Sequence, residues 1–139
     1  MIGIVIVAHG GLAQELLAAV EHVVGPQDGI LAISIEPECD RVAKQSEICD
    51  AADAVDTGDG VVIATDMFGG SPSNLSLRAS SADNRRIVYG ANLPLLIKLA
   101  KSRHLPVQEA VQAGLMAGRK YLDAMADPAP DLRVAASKG

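Results

Sequence analysis

Apolar and polar positions follow two alternating patterns along the chain. Four short, nearly continuous apolar runs are typical of strands buried in a parallel sheet. They lie at residues 2–8, 30–35, 61–65 and 86–90. Elsewhere apolar residues recur every three or four positions, as they do in amphipathic helices. This second pattern predicts helices over 11–24, about 39–55 and about 106–125, with two more beginning at Ser71 and just after Pro94.

The regular alternation of strand and helix predicts the fold class. Successive strand–helix units favour an α/β fold with a doubly wound, mainly parallel four-stranded sheet and helices on both faces. We expect one domain over residues 1–126. The last residues, 127–139, begin with an alanine–proline stretch and are expected to form a mainly disordered tail. Within the tail, Leu132–Ala135 is the candidate for an extra C-terminal edge strand.

Composition and charge narrow the possible functions. The chain has 139 residues, enough for one domain, and 49% of them are hydrophobic but only 2% aromatic. A net charge of −5 and so few aromatic residues argue against nucleic-acid binding. No apolar stretch approaches the roughly 20 residues that span a bilayer, and the apolar N-terminus lacks the basic region of a signal peptide. We therefore expect a cytoplasmic protein without direct membrane insertion.

The cysteines give no sign of a disulfide or a metal site. Cys39 and Cys49 are ten positions apart in a predicted helix, which separates them by roughly 15 Å. The sequence has no Cys-x-x-Cys motif and no cysteine–histidine cluster at zinc spacing. Ordinary reduced cysteines are expected, and neither a metal nor another cofactor is predicted.

Two of the predicted strands end in side chains that carry chemistry. His9 follows the first apolar run, and Asp66 follows the third. The carboxyl ends of parallel strands meet at one edge of the sheet, where ligands bind in open α/β folds. There Asp66 can accept a hydrogen bond from one ring nitrogen of His9, which leaves the other nitrogen free to attack. By contrast, His22 and His104 are expected to lie on the surface.

The residues that follow these strand ends are suited to binding phosphate. Gly10 and Gly11 lead into a predicted helix, whose free N–H groups and dipole favour an anion. Ser71, followed by proline, is predicted to cap the next helix, and its hydroxyl could hold phosphate oxygens. Capping alone would also explain Ser71. Gly69 and Gly70 are explained by the backbone geometry of the turn, which also exposes the site.

Three segments carry a resemblance to a known family. They are residues 8–10 (Ala-His-Gly), residues 65–74 with the specific element Asp-x-x-Gly-Gly-Ser-Pro, and residues 90–94 (Gly-Ala-Asn-Leu-Pro). In order and spacing they resemble the enzyme IIA domain of the mannose/fructose/sorbose-type branch of the bacterial phosphoenolpyruvate-dependent sugar phosphotransferase system. The resemblance covers roughly residues 1–125.

The resemblance implies specific roles and partners. His9 would accept phosphate from the phosphocarrier protein HPr and pass it to an enzyme IIB, so the protein would be a phosphotransferase component. Asp66 would be the carboxylate partner of the histidine, and Ser71 the hydroxyl beside the phosphate. The family is also known for homodimers that exchange C-terminal strands, which favours a strand at Leu132–Ala135.

Two alternatives to the carrier stay open. Many family members continue into a fused IIB domain, whereas this chain stops just past residues 127–130, so it is expected to act on a separate IIB or on a regulatory target. A regulatory phosphoprotein of an incomplete phosphotransferase system is therefore one alternative. The other is a hydrolase that uses Ser71, His9 and Asp66, although the sequence lacks the G-x-S-x-G element. A nucleotide kinase is disfavoured because no phosphate-binding G-x-x-x-x-G-K-[ST] loop is present.

Overall fold

The computed structural model describes residues 1–67 and 70–126, and its centre is a parallel sheet. The four strands are β1 (Gly3–His9), β2 (Ile30–Ile35), β3 (Val61–Thr65) and β4 (Arg85–Val88), in the order β2-β1-β3-β4. Each neighbouring pair is parallel. The predicted α/β fold with a four-stranded parallel sheet is therefore confirmed.

Helices cover both faces of this sheet. In the described part of the chain they are α1 (Leu12–Val24), α2 (Arg41–Val55), α3 (Ser71–Ser76), α4 (Leu93–Lys101) and α5 (Val107–Lys120), with a 3₁₀ turn at Ala79–Ser81. Alternate residues of β1 face opposite sides, as strand geometry requires. Ile4 and Ile6 pack with α1, α4 and α5, whereas Val5 and Val7 pack with α2 and α3. The core is thus two layers of aliphatic side chains separated by the sheet.

The two central strands explain why their sequences are continuously apolar. Every residue of β3 is buried, and so is every residue of β1 before His9. A strand that is covered on both faces has no solvent side, so polar residues are excluded until the strand ends. His9 is the first exposed residue of β1, and its position at the edge of the sheet follows directly from this burial.

Several predicted boundaries differ from the structure. Ser71 is not the cap of its helix: Gly70 occupies that position, and Ser71 is the first helical residue. The last helix ends at Lys120 instead of 125, and Cys39 lies before α2. The fourth strand ends at Val88, ahead of a turn at Gly90 with a φ of 67°. Ser71 therefore has no capping role that would explain it.

Other predictions have simpler outcomes. The tail, residues 127–139, and its candidate strand at Leu132–Ala135 lie outside the described residues. Both cysteines are free. His22 and His104 are exposed, as predicted. Among the helices that the structure describes, none has the combination of length and apolar character needed to cross a bilayer.

Two arginines with buried side chains stabilise the amino edge of the sheet, which is the side at which the four parallel strands begin. Arg103, just after α4, is 5% exposed, and it donates to the carbonyl oxygens of Ile2 (2.7 Å) and Asp28 (2.6 Å). Burial lowers the pKa of its guanidinium, and the charge of Asp28 partly opposes that shift. Arg85 of β4 binds Asp53 at 2.8 Å and Asp56 at 3.0 Å at the end of α2. Polar groups at this edge are thus bonded to one another.

Candidate active site

The pairing of β1 with β3 brings His9 and Asp66 together. Val7 lies opposite Thr65 in the parallel register, so the residues after this pair leave the sheet side by side. The Nδ1 atom of His9 is 2.8 Å from Asp66 Oδ2. The same oxygen accepts a hydrogen bond from the backbone N–H of His9 at 3.1 Å. One carboxylate oxygen therefore holds both the ring and the main chain of the histidine.

The burial and charge of this pair decide which ring nitrogen is available. Burial raises the pKa of Asp66, but the hydrogen bonds from the ring and the backbone N–H of His9 outweigh it, so that pKa lies below its ordinary value of 3.8. Asp66 is therefore ionised near neutral pH and can only accept hydrogen bonds. Nδ1 must carry the proton, and in the neutral ring the lone pair is on Nε2. The His9 side chain is 49% exposed and that of Asp66 only 13%, so the histidine is the solvent-accessible member of the pair.

The second oxygen of Asp66 is unusual. Oδ1 is buried, and within residues 1–67 and 70–126 it has no hydrogen-bond partner. Buried polar atoms without a partner are few in folded proteins and call for an explanation. Among the described residues, Oδ2 receives both of the hydrogen bonds found for this carboxylate, and both come from His9.

His9 opens onto a groove of about 360 Å³. Of the residues proposed from the sequence, Gly10 and Ser71 also line it, whereas Gly11 is exposed beside it at the start of α1. The other lining residues come from the segment that runs from the last residue of β2 to the first residue of α2. Its residues, which the sequence interpretation missed, are Ile35, Glu36, Pro37, Cys39 and Arg41. The signal for them was their position: this segment also follows the carboxyl end of a strand.

The helices that begin at this edge differ in how they are capped. Asp40 accepts from the Ala43 N–H at the start of α2, and Asn92 accepts from the Leu95 N–H at the start of α4. The caps of α1 and α3 are glycines, and no side-chain cap is found for either helix within the described residues. Helix α1 follows β1, which ends at His9, and α3 follows β3, which leads into Asp66. First-turn amides without a side-chain acceptor are available to an anion.

Two further kinds of chemistry find no support here. No hydrogen bond joins Ser71 to the His9 ring within the described residues, so the nucleophile–base contact of a serine hydrolase is not formed. The described residues also contain no cluster of histidine, cysteine, aspartate or glutamate that could hold a metal ion. The arrangement is that of an exposed histidine oriented by a partly buried carboxylate.

Fold and site together define an α/β domain that presents a carboxylate-bound histidine at the carboxyl edge of a parallel sheet. The family model described as the PTS system fructose IIA component matches residues 3–115. The chain therefore belongs to this enzyme IIA family of the sugar phosphotransferase system, as the sequence resemblance predicted. The family supports a general role in phosphotransfer within such a system.

Related sequences carry similar descriptions. The chain is 28% identical over 127 residues to the PTS system mannose-specific EIIAB component of Escherichia coli (strain K12), covering 89% of this chain and 39% of that protein. It thus spans about two-fifths of the length of that relative. A putative phosphotransferase enzyme IIA component of the same organism, YadI, is 30% identical over 104 residues, covering 74% of this chain and 71% of that protein.

Solved structures agree on the fold. The mannose/sorbose-specific IIA subunit of the phosphotransferase system from Enterococcus faecalis superposes with a TM-score of 0.78 at 25% identity, covering 92% of this chain and 97% of that chain. A PTS IIA protein associated with the fucose utilization operon of Streptococcus pneumoniae gives a TM-score of 0.76 at 28% identity, covering 87% and 91%.

Proposed function

We propose that the protein is a phosphohistidine carrier, in which His9 accepts a phosphoryl group from phospho-HPr and passes it to an enzyme IIB of a mannose-type system. One observation carries this proposal: His9 Nδ1 is held 2.8 Å from the partly buried carboxylate of Asp66 while half of the histidine side chain is exposed. A histidine fixed in this way presents Nε2 to a partner as a nucleophile of defined tautomer.

The transfer step follows from that tautomer. Nε2 of His9 attacks the phosphorus of the donor phosphohistidine in line with the bond that breaks. The new N–P bond forms with the Nε2 lone pair, and the donor nitrogen keeps the electron pair of the broken bond. The proton on Nδ1 stays in its hydrogen bond to Asp66. The phosphorylated ring would carry positive charge, and the ionised Asp66 would stabilise it.

Backbone amides and one hydroxyl would hold the phosphoryl oxygens. Gly10 has a φ of 56° and no atom within 4 Å of the position of an added Cβ, so the space above the turn is open. The glycine cap of α1 at Gly11 leaves first-turn amides for an anion. Ser71 lines the same groove as His9. We assign Gly10, Gly11 and Ser71 to phosphate binding on these grounds.

The first experiment follows the intact mass of the protein after incubation with phosphoenolpyruvate, enzyme I and HPr, each omitted in turn. We expect one acid-labile phosphoryl group that requires HPr and is absent from His9→Ala. His22→Ala and His104→Ala are matched controls, because both residues are exposed histidines away from the carboxyl edge of the sheet. Both variants should be phosphorylated normally. Phosphorylation that persists in His9→Ala would refute the site.

The acceptor is tested separately. Purified phosphoprotein mixed with an enzyme IIB should lose its phosphoryl group to that protein, whereas a regulatory phosphoprotein would keep it. The homodimer that the family resemblance implies and the cytoplasmic location expected from the sequence belong to the same proposal. Sedimentation of the full chain at several concentrations measures the oligomeric state directly.

A further inference from the structure

The backbone conformation at Gly70 does not require a glycine. It precedes α3 with a φ of −85° and a ψ of 175°, an extended conformation that any residue adopts. The expectation that it serves the backbone geometry of the turn is therefore wrong. Another constraint must account for the missing side chain.

That constraint is the space beside His9. A Cβ added to Gly70 would lie 3.2 Å from Cε1 of His9, 3.7 Å from its Nε2 and 3.4 Å from Cγ of Met67. Carbon atoms in contact prefer about 3.5 to 4.0 Å, so the contact with Cε1 would be too close. Gly10 and Gly11, at the same edge of the sheet, have no atom within 4 Å of an added Cβ. The close approach is thus a property of Gly70 in particular.

The histidine ring has little freedom to move away from such a Cβ. On one side Nδ1 is bonded to Asp66, and the same carboxylate oxygen also binds the backbone N–H of His9. A displacement of the ring would lengthen the 2.8 Å bond that fixes its tautomer. A side chain at Gly70 would therefore either disturb the pairing with Asp66 or remain in the space next to Nε2.

We propose that Gly70 is a positioning residue whose missing side chain keeps the approach to Nε2 of His9 open. The inference rests on the proposed function, in which Nε2 forms the bond to phosphorus. A phosphorus atom on Nε2 carries three oxygens, and a Cβ at 3.7 Å from that nitrogen competes with them for space. Reaction also needs the phosphorus within about 3 to 3.5 Å of the attacking atom.

The test compares Gly70→Ala with Gly114→Ala in the full chain. Gly114 lies in α5, and an added Cβ there meets its nearest atom at an ordinary 3.6 Å, so this control adds a methyl group without crowding. We expect HPr-dependent phosphorylation of Gly70→Ala to be on the order of 10- to 100-fold slower, with an unchanged melting temperature. The rate for Gly114→Ala should equal that of the wild type.

A rescue variant separates crowding from a general disturbance of the fold. Met67 is the other residue that the added Cβ would contact, at 3.4 Å from its Cγ, and its side chain is exposed. Truncation in Met67→Ala/Gly70→Ala gives the methyl group room to move away from the ring, so the rate should recover in part. A Gly70→Ala variant that is phosphorylated at the wild-type rate would overturn the inference, and so would a slow variant that the second change does not rescue.

Access to Nε2 is also measured without any partner protein. Diethyl pyrocarbonate modifies unprotonated imidazole nitrogens, and peptide mapping gives separate rates for His9 and the exposed His22. Gly70→Ala should slow the modification of His9 relative to His22, and an unchanged ratio would contradict the inference. Failure of the proposed function has a different signature, because wild-type protein would then take up no phosphoryl group from HPr.

Discussion

The two edges of the sheet use charged side chains in opposite ways. At the amino edge Arg103 and Arg85 are buried and bonded to carbonyl oxygens and carboxylates of neighbouring elements. At the carboxyl edge His9 is half exposed, and Asp66 keeps one buried oxygen without a partner among the described residues. The same strands connect both edges, so the difference arises from the segments that flank each strand. The arginines at the amino edge are fully engaged within the fold, whereas at the carboxyl edge the ring of His9 stays accessible.

The difference between the two edges predicts that effects on phosphorylation and effects on stability can be separated by mutation. A change at His9 or Asp66 should chiefly alter phosphorylation and should change the free energy of unfolding only slightly. A change at the amino edge should do the reverse. Variants at one edge can therefore be set against variants at the other.

The largest effect is expected from Asp66→Asn. An amide can present its N–H₂ group to the ring as well as its oxygen, so the tautomer with the lone pair on Nε2 is no longer enforced. We expect phosphorylation near neutral pH to fall on the order of 10²-fold or more, measured as the initial rate of mass increase. Asp59→Asn, which changes an exposed carboxylate at the amino edge, is the control and should react normally. Equal rates for the two variants would show that Asp66 does not orient His9.

A smaller effect of the opposite kind is expected from Arg103→Met. Methionine keeps much of the apolar stem but leaves the carbonyl oxygens of Ile2 and Asp28 without their donor. At about 1 to 3 kcal/mol for the buried carbonyl of Ile2, and less for the part-buried carbonyl of Asp28, we expect a loss of about 2 to 4 kcal/mol in the free energy of unfolding, measured with urea. Lys101→Met, on the exposed end of α4, should change little. Slower phosphorylation of folded Arg103→Met would show that the two edges are coupled.

The smallest effect concerns acid stability. The pKa of Asp66 is lower in the folded protein than its ordinary 3.8, because the hydrogen bonds from His9 outweigh burial. Its ionised form therefore stabilises the fold above about pH 4, and this contribution is lost as the pH falls through the lower folded-state pKa. The stability difference between wild type and Asp66→Asn should shrink as the pH falls from 5 toward 3, about the window in which carboxyl groups titrate. A stability difference that stays constant between pH 5 and pH 3, measured by urea unfolding at each pH, would contradict this prediction.

The strands were predictable because local signals mark them. Gly29 and Gly60, with φ of 78° and 101°, stand directly before β2 and β3, and both strands have the predicted bounds. The end of α5 was not predictable in the same way. Leu122 and Met125 continue the helical spacing of apolar residues, but they are 73% and 65% exposed. Periodicity shows that a face is apolar and cannot show whether another element covers it.

The site was predictable in its centre and not at its walls. His9 and Asp66 follow buried strands, and sheet geometry alone predicts that two such strand ends lie together. The closeness of Gly70 to the His9 ring depends on the direction of the histidine side chain, which the spacing of residues in the sequence does not indicate. Arg103 stands between the exposed Lys101 and His104, and no pattern in the sequence singles it out. Its burial depends on carbonyl oxygens about 75 and 101 positions away in the chain.

His9 and Asp66 are 57 positions apart in the chain, and this separation has a consequence for synthesis of the protein. A ribosome completes the histidine, all of β2 and all of β3 before it adds the carboxylate. Until β3 has paired with β1, the imidazole of a nascent chain has no fixed tautomer. With His9 as the proposed acceptor, unfinished or unfolded chains would be poor phosphoryl acceptors, and the phosphorylated pool would report on molecules that have completed folding.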